Sequence, residues 1–396
     1  MASSESPLSS TSMLERLVGF DTTSAKSNLE LIDFVADWLD GHGVACSRIF
    51  NEEGTKANLF ASIGPEGDGG VALSGHTDVV PVSGQDWTSA PFKVRTDSAT
   101  GRLYGRGTAD MKGFIACVLA HVPIFRAAPL RIPLHIALSY DEEVGCRGVG
   151  SMIAGFGDGL PKPDIAIVGE PTSMQIVNAH KGIRGFHVAL RGVAAHSSAP
   201  HLGVNTIAYA AEIIRCITAI AGEIRDAADP DCGFHPPYTT FNIGRIKGGE
   251  ALNIIPEHCD FIWEFRPLPD VDADAIEARV LSFIDTEIAP RMRAENPAAG
   301  VKVEFLSRVP PMPRLPNSPA ERLVRELTGA NDTFTVAYTA EASQFQAAGV
   351  PAVICGPGNI AQAHQPDEWI DATQLDACSG FLDRLAAWSA DGGTVG

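Results

Sequence analysis

The sequence has few basic residues and no long apolar run, and each shortage excludes a class of partner. Lysine and arginine number 30 against 48 aspartate and glutamate residues, which gives a formal charge of −18. A chain of that charge repels nucleic-acid phosphates and anionic lipid headgroups, so we expect neither nucleic acid nor membrane as a partner. The longest nearly apolar stretch, 114–125, contains His121 and Pro123 and is shorter than the ~18 residues of a membrane-spanning helix.

Paired cysteines, a secretion signal and several common catalytic motifs are also missing. The eight cysteines are scattered without a CxxC pair, a pattern typical of reduced thiols in a cytosolic protein. The first residues lack the basic and apolar regions of a secretory signal, so we expect a cytoplasmic location. The sequence has no GxSxG turn of the kind that carries a nucleophilic serine. It also has no phosphate-binding loop, and this absence argues against an oxidoreductase with a nucleotide cofactor.

Apolar strands alternate with helices over most of the chain, and this alternation predicts an α/β fold with helices on both faces of a sheet. Between residues 183 and 309 the pattern instead predicts the order β-α-β-β-α-β, which is typical of a ferredoxin-like α+β domain. We therefore expect two domains. Residues 1–182 and 310–396 would form the larger one, and residues 183–309 would be inserted into it.

Histidine and carboxylate side chains follow four predicted strands, at the point where each strand ends. They are His76 and Asp78 after strand 70–75, Asp141, Glu142 and Glu143 after strand 132–140, Glu170 after strand 165–169, and His364 after strand 351–355. A further carboxylate, Asp110, precedes a predicted helix at 112–126. Because the carboxyl ends of the strands form the ligand crevice of an open α/β sheet, we expect these side chains to converge there.

A cluster of this composition predicts a metal site. Several carboxylates in one cleft repel one another unless a cation lies among them. Two imidazoles and three carboxylates suit zinc, cobalt or manganese, and five ligands are too many for one catalytic zinc ion. The set therefore predicts two metal ions that activate a water for hydrolysis, with Asp110 as the bridging carboxylate. Glu142 or Glu143 is then left over as a general base, and Asp78 is placed to orient His76.

Four segments of the chain resemble the dinuclear metallo-aminoacylase/carboxypeptidase family. They read Gly75-His76-Thr77-Asp78-Val79-Val80-Pro81, Gly105-Arg106-Gly107-Thr108-Ala109-Asp110-Met111-Lys112-Gly113, Asp141-Glu142-Glu143 and Gly169-Glu170-Pro171-Thr172. The similarity extends from about residue 10 to about residue 390. It implies a mixed sheet flanked by helices, as in metal-dependent exopeptidases, and it implies that the inserted domain is a lid through which two chains form a homodimer.

The resemblance also implies a set of metal ligands. In that family pattern Asp110 bridges two divalent metal ions, which we expect to be zinc, with cobalt as the alternative. His76 and Glu170 would hold one ion, and Glu143 and His364 would hold the other.

The remaining candidate residues receive catalytic or substrate-binding roles from the same resemblance. Glu142 would be the general base, and Asp78 would orient the histidine that binds the first metal ion. His196, in the inserted domain, would reach the site of the partner chain and stabilise the oxyanion. Asn253 and Arg266 would bind the substrate, and the arginine is chemically suited to a bidentate grip on a carboxylate.

The predicted reaction is the hydrolysis of an N-acylated amino acid. A succinylated diamino diacid and a dipeptide are alternative substrates, and a non-catalytic, metal-dependent binding protein on the same fold is an alternative of another class. One position departs from the family pattern, because Ala340 stands where members usually carry threonine before Glu-Ala. The missing hydroxyl removes one expected substrate contact and therefore bears on specificity.

Overall fold

The computed structural model describes residues 8–394, in which the chain forms helices α1 to α10 and strands β1 to β15. The helices are α1 (Ser10–Val18), α2 (Leu29–Gly41), α3 (Lys112–Ala127), α4 (Val149–Ile153), α5 (Thr206–Asp226), α6 (Ala273–Phe283), α7 (Ala289–Glu295), α8 (Pro319–Thr328), α9 (Ala342–Ala347) and α10 (Ala372–Ala390). The strands are β1 (Cys46–Phe50), β2 (Ala57–Ile63), β3 (Val71–His76), β4 (Arg95–Asp97), β5 (Arg102–Tyr104), β6 (Leu134–Ser139), β7 (Ile165–Val168), β8 (Val177–His180), β9 (Ile183–Arg191), β10 (Thr240–Gly248), β11 (His258–Arg266), β12 (Gly300–Val309), β13 (Phe334–Val336), β14 (Ala352–Ile354) and β15 (Trp369–Asp371).

The chain divides into two compact units, and each has its own apolar core. The first unit contains the chain up to Ala179, the segment Arg314–Phe334 and the chain from Ala340 onward. The second contains His180–Pro313 and Thr335–Thr339. The second unit is thus formed almost entirely by one continuous stretch, and segments of the first unit lie on both sides of it in the sequence.

The first unit is built on a mixed sheet with the strand order β1-β2-β6-β3-β7-β14, which β8 and β13 extend. Strands β6, β3, β7 and β14 run parallel to one another, whereas β1 and β2 are antiparallel to their neighbours. Every residue of those four parallel strands is buried, as expected where helices cover both faces of a sheet. The prediction of a mixed sheet flanked by helices is therefore confirmed.

The second unit is built on a four-stranded antiparallel sheet with the order β10-β11-β9-β12. Its elements follow one another along the chain as β9, α5, β10, β11, α6 and β12. Strand β11 alternates between buried and partly exposed residues, because one face of the sheet packs against α5 and α6 and the other does not. In its core the rings of Phe186 and Trp263 stack with centroids 4.4 Å apart.

The longest helix is α5, which has 21 residues. Its buried side includes Tyr209, Ile213 and Ile217. The most deeply buried helix is α3, which packs against β3, α1 and α10. Neither of these, nor any other helix in residues 8–394, is long and apolar enough to span a bilayer.

Candidate metal centre

The first unit gathers histidine and carboxylate side chains at the carboxyl ends of its parallel strands. His76 is the last residue of β3, and Glu170 follows two residues after the end of β7. Glu143 follows β6, and Asp110 lies in the loop directly before α3. Because β3 pairs in parallel with both β6 and β7, the segments that leave these strands meet at one edge of the sheet.

The first ligand group consists of His76, Asp110 and Glu170. Nε2 of His76 lies 3.0 Å from Oδ1 of Asp110 and 3.9 Å from Oε1 of Glu170. All three side chains are buried. One imidazole nitrogen and two carboxylate oxygens are thus held close enough to bind the same cation.

The second ligand group shares Asp110 and adds Glu143 and His364. Nε2 of His364 lies 3.2 Å from Oδ2 of Asp110 and 3.0 Å from Oε2 of Glu143. About half of the His364 side chain is exposed, whereas the two carboxylates are nearly buried. Asp110 therefore directs one carboxylate oxygen to each group, which is the arrangement that a bridging ligand requires.

The donor atoms of both groups fit divalent metal ions. Among the residues that the structure describes, Oε1 of Glu143 and Oε1 of Glu170 are buried without a hydrogen-bond partner. Buried carboxylate oxygens are costly unless they are paired or bind a cation. Imidazole nitrogens with carboxylate oxygens are a set that zinc and other transition metals accept. These unpartnered oxygens are therefore suited to bind a metal ion.

The titration of these groups without a cation leads to the same conclusion. Burial and the nearby charge of Asp110 together raise the pKa of Glu143 to about 7, although His364 and His76 oppose the rise. Burial likewise raises the pKa of Glu170 well above its ordinary value, again with a contribution from Asp110. Burial alone would also raise the pKa of Asp110, but His364 and His76 hold it below its usual range. The carboxylates repel one another, and a bound cation would relieve that repulsion.

Glu142 lies beside both groups but belongs to neither. Its Oε1 accepts a hydrogen bond from the thiol of Cys146 at 3.3 Å. Burial raises the pKa of Glu142 well above its ordinary value, although the nearby His76 opposes that rise. A carboxylate that has a raised pKa and is not a ligand is suited to accept and return a proton.

Asp78 contacts His76 in a way that the sequence did not predict. Nδ1 of His76 hydrogen-bonds to the backbone carbonyl oxygen of Asp78 at 2.9 Å, and it lies 3.7 Å from Oδ1 of the carboxylate. The carboxylate instead accepts the backbone N–H groups of Glu142 and Glu143 at 3.1 and 3.3 Å, together with the hydroxyl of Ser24 at 2.7 Å. Asp78 therefore contacts three site residues, the histidine through its backbone and the two glutamates through its side chain.

Sequence reasoning also missed Glu341, which is a buried carboxylate of this unit. It is 1% exposed, and burial raises its pKa to about 7. It follows Ala340, which is fully buried. The available signal was a carboxylate directly before the short helix α9, in the segment Thr339-Ala340-Glu341-Ala342.

The other three candidates, His196, Asn253 and Arg266, belong to the second unit. His196 is exposed on the segment after β9, and its Nδ1 pairs with the hydroxyl of Ser198 at 2.7 Å. The amide of the intervening Ser197 donates to the carbonyl of Asn253 at 2.9 Å, so the segments that carry His196 and Asn253 lie side by side. Arg266 ends β11, where its Nε contacts Oε1 of Glu264 at 3.0 Å.

The mixed sheet and the two ligand groups define a class of protein, a metallohydrolase that acts on amide bonds. The chain belongs to Peptidase family M20/M25/M40, whose model matches residues 72–388. Enzymes of this family depend on two metal ions. Membership of this family favours a hydrolase over the alternative of a non-catalytic, metal-dependent binding protein.

Several relatives are similar over nearly the whole chain. Acetylornithine deacetylase of Myxococcus xanthus is 36% identical over 379 residues, which cover 94% of this chain and 96% of that protein. Acetylornithine deacetylase of Shigella sonnei (strain Ss046) is 37% identical over 357 residues, or 87% of each protein. The fold is similar to that of the M20 family metallo-carboxypeptidase Sso-CP2 from Sulfolobus solfataricus, with a TM-score of 0.75 at 17% identity over 96% of this chain and 99% of that one.

Proposed function

We propose that this enzyme removes the acetyl group from N2-acetyl-L-ornithine and releases L-ornithine and acetate, a reaction that supplies ornithine for arginine biosynthesis. The observation that carries the chemistry is the pair of ligand groups that share Asp110, with Glu142 beside them. The relatives named acetylornithine deacetylase support the choice of substrate. The net charge of −18 is also compatible with a substrate that carries a cationic side chain.

His76, Asp110 and Glu170 would hold one metal ion, and Asp110, Glu143 and His364 the other. The mixed nitrogen and oxygen donors favour zinc, with cobalt as an alternative. When bound, such ions supply Lewis acidity, which polarises the amide carbonyl and lowers the pKa of a water molecule.

The chain's own residues would move the proton and bind the substrate. Glu142 would take a proton from the attacking water and pass it to the amine that leaves as the amide bond breaks. His196 of one chain would stabilise the oxyanion in the site of the partner chain. Arg266 would bind the α-carboxylate of the substrate as a bidentate donor. Asn253 would also bind the substrate.

We also propose that the enzyme is a homodimer that forms through the second unit. Strand β10 is an edge strand, so its outer backbone groups are available for pairing with another chain. The exposed large apolar side chains of this unit include Leu202, Ile207, Ile246, Leu252 and Ile254. A second copy of the chain would cover them. The eight free cysteines suit the reducing conditions of the cytoplasm, which is the location that we propose.

A substrate panel tests the proposed specificity. The metal-reconstituted enzyme would be assayed for kcat/KM with N2-acetyl-L-ornithine, N-succinyl-diaminopimelate and a dipeptide, with product amine as the readout. We expect acetylornithine to be preferred by at least tenfold. Preference for either of the other two substrates would overturn the proposed substrate while leaving the hydrolase class intact. The Ala340→Thr variant in the same panel would report whether the missing hydroxyl affects that ranking.

A further inference from the structure

The carboxylate of Glu368 is buried in the first unit and accepts four hydrogen bonds from the loop that carries Asp110. Its Oε1 accepts the backbone N–H groups of Ala109 and Asp110 at 2.9 and 3.0 Å. Its Oε2 accepts the N–H of Gly107 at 3.0 Å and the guanidinium of Arg106 at 2.8 Å. Both charged side chains of this pair are only 1% exposed. One carboxylate therefore fixes the backbone on the N-terminal side of the shared ligand.

The same ion pair extends to the backbone of His364. Nη1 of Arg106 also donates to the carbonyl of Gln365 at 3.3 Å, and Nη2 donates to Oε1 of Gln85. Nε2 of Gln85 in turn donates to the carbonyl of His364 at 2.9 Å. Glu368 itself lies only four residues after His364. The two loops that supply Asp110 and His364 are therefore joined through one hydrogen-bond network, in which Arg106 and Glu368 are buried and Gln85 is partly exposed.

These two ligands depend on such a network because no strand positions them. His76 ends a buried strand, and Glu170 follows one closely, whereas Asp110 and His364 both lie in loops. His364 also adopts a φ of +62°, in the left-handed region that a non-glycine residue occupies only where its surroundings hold it. The network supplies that constraint. Without it, the second ligand group would lose the fixed geometry of two of its three members.

We infer that Glu368, acting with Arg106 and Gln85, positions Asp110 and His364 and thereby sets the affinity of the second ligand group for its metal ion. This inference rests on the proposed assignment of two metal ions to the two groups. Glu368 would be a positioning residue, since its contacts are with the backbone of the ligand loops. The first group should depend on it less, because His76 and Glu170 are held by strands.

The Glu368→Gln variant tests the inference without measuring activity. Glutamine has nearly the same shape as glutamate, but its amide group replaces one acceptor oxygen with an NH2 donor. Because N–H donors face both oxygens of Glu368, the NH2 group would oppose a donor whichever way the amide is turned. The substitution would also leave Arg106 without a counter-charge. Metal-free protein would be titrated with Zn²⁺ by calorimetry, and bound metal would be counted by mass spectrometry. We expect two ions per chain in the wild type. In the variant one site, which we assign to the second ligand group, should lose about 10- to 100-fold in affinity while the other site changes by only a few fold.

Two further variants separate positioning from a general loss of stability. Glu277→Gln removes the charge of another nearly buried carboxylate paired with an arginine, Arg308, in the second unit, and both metal affinities should stay unchanged. Gln85→Ala, at a partly exposed residue, removes the link to His364 and the acceptor that Gln85 offers to Arg106 and Trp87, but it leaves the ion pair of Arg106 and Glu368 in place. The same site should therefore lose less affinity than in Glu368→Gln. Gln85→Ala remains informative if Glu368→Gln fails to fold.

Three results would contradict the inference. If Glu368→Gln or Gln85→Ala melts at a lower temperature but binds both ions as tightly as the wild type, the network has only a structural role. If both sites weaken equally, the network does not act selectively on the second group. If the wild type itself binds one ion, the two-metal assignment fails, and that failure is recognised before any variant is compared.

Discussion

Glu142 and Glu143 are adjacent in sequence, yet only Glu143 lies in a ligand group. The structure explains this difference through Asp78. Its Oδ1 accepts the backbone N–H of Glu142 and its Oδ2 accepts that of Glu143, so the backbone between the two glutamates is fixed. The side chain of Glu143 faces His364, and that of Glu142 faces Cys146. The two neighbouring carboxylates can therefore perform different chemical tasks.

Replacing Glu142 should abolish turnover without removing metal. We expect Glu142→Gln to lower kcat by about 10²- to 10⁴-fold, the usual contribution of a general base, while KM changes little. Metal content per chain should remain that of the wild type. The exposed Glu66→Gln variant is the matched control and should keep full activity. Activity within tenfold of the wild type would refute the role of Glu142, and loss of metal would reassign it as a ligand.

The members of the candidate site were predictable from the sequence, but their contacts were not. His76 and Glu170 were identifiable because they end apolar strands, and the position of a strand end fixes where its side chain lies. Glu368 was not identifiable, because its partners are backbone N–H groups of a loop, and such groups are present in every sequence. The contact of His76 with the carbonyl of Asp78 was missed for the same reason.

At the scale of elements, the region from α6 to α7 differs most clearly from the sequence prediction. The pattern predicts one helix over 272–287, whereas the structure has α6, one π-helical turn at Ile284–Ile288 and then α7. Pro290 is the second residue of α7, and it lacks the N–H that would bond to the preceding helical turn. Helical backbone thus continues past a residue that would interrupt a regular α-helix.

Helix α6 begins at an N-cap residue, Asp272, whose hydrogen bond can be removed without changing the packing of the helix. The side chain of Asp272 accepts the N–H of Ala275 at 3.0 Å and is exposed, so its replacement disturbs no packing. We expect Asp272→Ala to lower the free energy of unfolding by about 1 kcal/mol, measured by urea denaturation. Asp272→Asn keeps the acceptor and should stay within a few tenths of a kcal/mol of the wild type. Equal loss in both variants would show that the charge, and not the cap, stabilises the helix.

Buried strands were predicted well and exposed elements poorly. Strands β3 and β7 have uninterrupted apolar sequences because both faces of the sheet are covered, and the sequence bounds agree with the structure within about two residues. Strand β1 was missed because it is an edge strand with mostly exposed side chains and no apolar alternation. Helix α8 was also missed, although Ser318 before Pro319 is a recognisable start signal.

At the scale of the whole molecule, the exposed apolar side chains contrast with a strongly acidic composition. A net charge of −18 keeps copies of the chain apart, so an association must gain enough apolar burial to overcome that repulsion. The exposed leucine and isoleucine residues of the second unit are the surface on which we propose that gain. A dimer formed there has two equivalent sites related by symmetry.

Mixed dimers test whether His196 acts across that interface. Differently tagged Glu142→Gln and His196→Ala chains would be co-expressed, and doubly tagged dimers would be purified. If His196 acts in the partner's site, one of the two sites is complete, and we expect about half of the wild-type activity per dimer. Dimers of two differently tagged Glu142→Gln chains are the control and should be inactive. Mixed dimers that remain inactive would show that His196 does not act across the interface.

The two ends of the second unit are joined by backbone hydrogen bonds, and this affects how the first unit can fold. His180 and Met312 exchange hydrogen bonds at 3.1 and 3.0 Å, so the chain leaves the unit close to where it entered. The parallel pair of β7 and β14 must form across the whole of that insertion. Pairing of segments so distant in sequence is slow when the connecting chain is unfolded. Once the second unit has folded, it acts as a short connection, and the loop that β7 and β14 must close becomes far smaller.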